Sequence, residues 1–180
     1  VRSVAVSAAI AERFRVVLCS GGRIPPGFTA PPGVDVVALA PIGADPDGRL
    51  ASLDPQVSLP EAWDLRRSRL VESVRDLRPA AVVVELFPFG RRKFAPEILA
   101  MLEEGRSASH PVPVLCSVRD LLVTGHPRKQ DQDDEAVARL NRYFDAVVVH
   151  ADPRFARLEQ TFSPRLPIDP PVHYSGFVCA

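Results

Sequence analysis

The chain has 180 residues, with 22 basic and 22 acidic side chains, so its formal net charge is zero and nothing in the totals calls for a nucleic acid or another polyanion as partner. Hydrophobic residues make up 46% and charged residues 24%, which excludes a disordered chain and leaves enough apolar material for one ordinary globular core. No apolar run approaches about 18 residues, so no membrane-spanning helix is expected.

In chain order, Val1 to Phe14 places Val4, Ala8, Ile10 and Ala11 at helical spacing and reads as a helix. Val16 to Cys19 reads as a short buried strand, followed by Gly21 and Gly22, which permit either a plain turn or close backbone approach of a ligand. Ile24 to Gly33 holds four prolines and reads as loop. Val34 to Ala40 predicts another strand, and Pro41 to Leu59 reads as irregular. Pro60 to Leu77 predicts the clearest helix, with Pro60 in the first turn, Glu61 near the positive end of the dipole and Pro79 as the stop. Its expected apolar stripe is Leu65, Leu70, Val74 and Leu77, and its expected wet face carries Arg66, Arg67, Arg69 and Arg75.

Ala80 to Val84 is small or β-branched without alternation, the habit of a strand covered on both faces. It delivers Glu85, the aromatic loop Leu86 to Gly90 and the cations Arg91, Arg92 and Lys93. A helix is predicted around Pro96 to Glu104. The strand Val112 to Ser117 follows and delivers Arg119 and Asp120. Asp131 to Phe144 predicts a helix, Ala146 to Val149 a strand ending on His150, and Pro153 to Phe162 a helix capped by Asp152. Ser163 to Pro171 reads as linker, and Val172 to Phe177 as a last short strand.

Strands alternating with helices imply an α/β fold: right-handed βαβ crossovers, a mostly parallel sheet and a Rossmann-like three-layer sandwich. In such sheets ligands bind outside the carboxyl ends of the strands. The groups expected there are Gly21 and Gly22, Glu85 with Arg91, Ser117 with Arg119 and Asp120, and His150. Each also has a structural reading. Glu85 can be a salt-bridge acid, Arg119 and Asp120 an internal pair, Arg91 a solvated cation, and Asp152 a cap. No Walker A loop and no GxGxxG follows a strand. Three widely spaced cysteines, Cys19, Cys116 and Cys179, supply neither a disulfide framework nor a zinc spacing, so the expectation is a reducing, cytoplasmic setting, with no cofactor. The start on Val and the stop just after an apolar run read as a piece cut from a longer protein.

ELFPFGRR (Glu85 to Arg92), CSVRDLLV (Cys116 to Val123), YFDAVVVHADPRFARLEQTF (Tyr143 to Phe162) and HYSGFV (His173 to Val178) resemble the N-terminal half of MurG-like glycosyltransferases of the two-domain GT-B architecture. LCSGGRIPPGF (Leu18 to Phe28) and PPGVDVVAL (Pro31 to Leu39) resemble the second and third strands of the same half. The resemblance implies transfer of a hexosyl group from a nucleotide sugar to an acceptor hydroxyl, with no bound metal. Residues 1–171 would be the acceptor-side domain and 172–180 the start of the interdomain connection. The first strand and the donor domain would be absent, leaving the 180 residues alone inactive. Glu85 and His150 would be catalytic. Gly21, Gly22, Arg91, Ser117, Arg119 and Asp120 would bind a small-molecule or lipid-linked acceptor. Ala151 stands where the family is expected to have Gly. The Phe87–Phe89 loop reads either as interface packing or as a face toward a membrane. The alternatives are a non-catalytic α/β ligand-binding module and a GT-B nucleotide-sugar epimerase.

Overall fold

A computed structural model describes residues 2–109, 111–119 and 129–178. The chain is α/β and divides after Leu77 into two compact units.

In the first unit, helix α1 (Arg2–Ala11) packs against strands β1 (Val16–Ser20) and β2 (Val34–Ala38), which pair in parallel from Val16 opposite Val34 to Ser20 opposite Ala38. The stretch expected to be irregular contains an antiparallel hairpin, β3 (Ile42–Ala44) and β4 (Leu50–Ser52). Its turn is Asp45-Pro46-Asp47-Gly48, where the Asp45 carboxylate accepts the Arg49 N–H at 2.7 Å. Pro, Asp and Gly in that order are turn chemistry, so the signal for the hairpin was present and the strands flanking it were simply short.

Helix α2 (Leu59–Leu77) begins where Ser58 Oγ accepts the Glu61 N–H at 3.3 Å. Its buried face is Ala62, Arg66, Leu70 and Val74, spaced four apart, while Leu65 is 50% and Leu77 46% exposed. The expected stripe is therefore rotated, and Arg66 belongs to the inside. Its Nη1 donates to Gly21 O at 2.8 Å and to Ala40 O at 2.9 Å. Those carbonyls lie just past the carboxyl ends of β1 and β2. A cation can be buried where it satisfies backbone acceptors that would otherwise be orphaned. Gly21 makes room for it, since a Cβ there would lie 2.7 Å from Arg66 Nη2.

The second unit is a four-stranded parallel sheet in the order β5 (Val82–Glu85), β6 (Val114–Arg119), β7 (Ala146–His150) and β8 (Val172–Tyr174). Helix α3 (Ala95–Ser107) joins β5 to β6, and α4 (Lys129–Tyr143) lies between β6 and β7. Side chains alternate between the two faces of the sheet. Val84, Cys116 and Val147 face one way and merge with Leu102 of α3 and Leu140 of α4 into the core. Val83 on the opposite face is 47% exposed, so β5 is not the strand covered on both sides that its composition predicted.

Three further expectations change. Phe87 and Phe89 are buried in the core of this unit, with Phe89 edge-on to Phe162 at 4.8 Å between centroids, so neither ring forms an interface or membrane-facing surface. The segment Ser163–Pro171 is not a free linker. Asp134 accepts the Arg165 backbone N–H at 2.6 Å, and Asn141 of α4 donates to Pro167 O at 2.9 Å. The Arg165 backbone and guanidinium together hold the Asp134 carboxyl below its ordinary range. The predicted helix after Asp152 is a turn followed by one 3₁₀ turn, Leu158–Gln160. Asp152 caps the turn through the Arg154 N–H, and the Leu158 N–H goes to the Tyr174 hydroxyl instead of to a helical carbonyl.

Arg66→Ala should destabilise the first unit by about 1–3 kcal/mol, because the half-buried carbonyls of Gly21 and Ala40 lose this donor; denaturant unfolding measures it, and an unchanged midpoint would reject the buried-cation reading. The Cys116 thiol, donating to Phe87 O at 3.1 Å and pushed far up by burial, should resist alkylation at neutral pH until the protein unfolds. Mass spectrometry of the native protein after iodoacetamide treatment reads this directly.

Candidate functional site

Because β5 to β8 all run the same way, their carboxyl ends share one edge. Register then decides which side chains are neighbours. Glu85 stands opposite Ser117, and Arg119 opposite His150. Ser117 and Arg119 are two apart on β6, so Glu85, Ser117, Arg119 and His150 occupy the same face, the one turned away from the core.

The loop after β5 folds back on this edge. The Leu86 N–H extends the ladder to Ser117 O at 2.7 Å, and Leu86 takes a left-handed φ of 65° that turns the chain. The Gly90 N–H closes the turn on Leu86 O at 2.7 Å, and a Cβ at position 90 would lie 2.9 Å from the Leu86 side chain. Arg91 follows, also left-handed, and its guanidinium comes to 3.6 Å from Glu85 Oε2. The Glu85 side chain is 28% exposed and that of Arg91 50%, so both reach water. Arg92 points elsewhere and lines an open depression of about 340 Å³ with Asp131, Gln132 and Glu135 from the first turns of α4.

His150 is 8% exposed and Ser117 6%. Ser117 Oγ lies 2.9 Å from His150 Nε2, and Ser175 Oγ lies 2.8 Å from His150 Nδ1. The ring thus joins the end of β6, the end of β7 and the residue just past β8 in one hydrogen-bonded chain. Ser175 is held by its own backbone, whose N–H donates to Val149 O at 3.0 Å, and the next N–H, Gly176, donates to Ala151 O at 3.1 Å. Of the two hydroxyls, Ser117 is buried and Ser175 is exposed. A neutral imidazole donates through one nitrogen and accepts through the other, so the chain has two directions and moving one proton reverses it.

Of the expected site residues, Glu85, Arg91, Ser117, Arg119 and His150 come together on this edge. Asp120 lies outside the described residues. Gly21 and Gly22 follow β1, whose sheet partner is β2, in the other unit. There Gly21 receives Arg66, and a Cβ at Gly22 would meet open space. Ser175 was missed. Its only sequence signal is a hydroxyl just beyond a short strand, and recognising it requires the register of β8 on β7. Among the described residues no group of three or more His, Cys, Asp or Glu is gathered to hold a metal ion, and no helix is long and apolar enough to cross a membrane.

Compared with known protein families, with curated proteins and with solved structures, the chain matches none.

Ser117→Ala deletes the hydroxyl without adding bulk, leaving His150 Nε2 buried without that partner. The expected cost is about 1–3 kcal/mol, read as a lower midpoint in denaturant unfolding. An unchanged midpoint would show that the ring nitrogen finds another partner at no cost.

Proposed function

We propose that the edge of the four-stranded sheet is the acceptor side of a glycosyltransferase that moves a hexosyl group from a nucleotide sugar to an acceptor hydroxyl. The observation that carries this reading is the polar row Glu85, Ser117, His150 and Ser175 at the carboxyl edge of a parallel sheet, with Arg91 beside Glu85. The resemblance of ELFPFGRR, YFDAVVVHADPRF and HYSGFV to MurG-like enzymes supports it and supplies the two-domain GT-B frame, with a three-layer Rossmann-like acceptor half.

In this reading Glu85 binds the acceptor through a hydroxyl other than the one that attacks. It is reachable from water, and a carboxylate accepts a hydrogen bond from the hydroxyl it binds. Arg91, with its guanidinium 3.6 Å from Oε2, helps to aim the carboxylate. His150 is too buried to touch an acceptor itself and acts behind another group. The nucleotide is held by a second domain outside these 180 residues, and the reaction proceeds without a bound metal.

The test uses the polypeptide of the complete reading frame and a set of nucleotide sugars labelled in the sugar. Label moving to an acceptor supports transfer. Label staying on the nucleotide as an epimeric sugar supports an epimerase, and no turnover with tight ligand binding supports a binding module. Glu85→Gln should lower kcat by about 10- to 100-fold while the protein stays folded. Unchanged turnover in that variant removes Glu85 from the mechanism.

A further inference from the structure

We infer that Ser175 is a catalytic hydroxyl of this site, the exposed end of a proton relay that runs through His150 to Ser117. The inference rests on the acceptor-side reading above and adds the group that takes the proton.

His150 is 8% exposed and both ring nitrogens are engaged, so a ligand cannot reach the ring. One of its two hydroxyl partners, Ser117, is buried as deeply. The other, Ser175, is exposed, so a proton entering this chain from a bound molecule enters at Ser175. The separations of 2.8 Å and 2.9 Å are within the range for direct transfer. The hydroxyl proton of Ser175 has two acceptors in reach, Gly176 O at 3.1 Å and His150 Nδ1 at 2.8 Å, and the ring is the nearer. The backbone bonds from Ser175 to Val149 and from Gly176 to Ala151 fix the main chain that carries the hydroxyl, as a site meant to act at one place requires.

The step balances as follows. The acceptor oxygen bonds to the anomeric carbon while the bond from that carbon to the nucleotide's phosphate oxygen breaks, and the electron pair leaves on the phosphate. The acceptor's proton passes to Ser175 Oγ, and Ser175's own proton passes to His150 Nδ1. The resting ring therefore carries its proton on Nε2, donated to Ser117 Oγ. The imidazolium that results keeps both partners, because each serine oxygen can accept from an N–H. Return of the proton to solvent runs back through Ser175. Ser117 is thus a positioning residue that accepts from Nε2 and holds the ring, in the way the third member of a nucleophile–base–orienter set does.

The experiment uses the full-length protein. Ser175→Ala should lower kcat for transfer by about 10- to 100-fold with KM for the acceptor little changed, and Ser175→Thr, which keeps the hydroxyl, should recover most of it. If Ser175→Ala leaves kcat unchanged while Glu85→Gln lowers it, the relay is overturned and the acceptor-side reading stands. If the wild-type protein transfers no sugar, that reading falls, and the ring alone decides the relay. Long-range ¹H–¹⁵N spectra of His150 showing Nδ1 unprotonated at rest, with the proton moving off Nε2 on Ser117→Ala, support it. Spectra showing Nδ1 protonated at rest overturn it, because that nitrogen cannot take a proton from Ser175.

Discussion

The parallel register of β5 to β8 is the constraint on which everything at the candidate site depends. Each strand ends with a different chemistry: a carboxylate on Glu85, a guanidinium on Arg119, an imidazole on His150, a hydroxyl just past Tyr174. Backbone hydrogen bonds align them, since pairing Glu85 with Ser117 and Arg119 with His150 also decides which face each side chain takes. A slip of one residue would send Ser117 and His150 into the apolar face now held by Cys116 and Val149. The hydrophobic contrast between those faces makes such a slip costly. Core packing therefore enforces the geometry of the polar edge without touching it.

The two units handle buried polarity by the same rule. In the first, Arg66 carries a charge inward and satisfies the carbonyls of Gly21 and Ala40, tying the ends of two parallel strands to α2. In the second, His150 ties three strand ends together through hydroxyls. Both groups sit where parallel strands stop pairing and backbone or side-chain acceptors need donors. The difference lies in what the surface sees. Arg66 ends on backbone, whereas the His150 chain ends on an exposed hydroxyl.

Charge placement along α4 has a similar economy. Asp131, Asp133 and Asp134 open the helix, where its dipole favours anions, and the same carboxylates receive Arg165 and the Ser163 N–H. A proline-rich stretch that composition marks as a connector is thereby held along the helix. Its path delivers Val172 to Tyr174 beside β7 and so delivers Ser175 to His150. The strap and the polar edge are one construction.

Local pattern alone was enough for the α/β alternation, for α2 and α4, for strands β1, β2, β6 and β7 to within a residue or two, and for Glu85 and His150 as strand-end groups. Those features are written in short-range order: apolar runs, proline stops and acids at helix starts act on neighbours in the chain. The hairpin at Asp45-Pro46-Asp47-Gly48 was equally local and was overlooked because its strands are three residues long. Other features arise from contacts between distant segments. Hydropathy put Arg66 in water, because its two carbonyl partners come from residues 26 and 45 positions away. Phe87 and Phe89 read as interface packing or a membrane face, and it is distant residues of α4 and Phe162 that bury them in the core of their own unit. Ser175 became a site residue only when β8 took its register on β7, and a three-residue strand carries too little pattern to specify a register on its own.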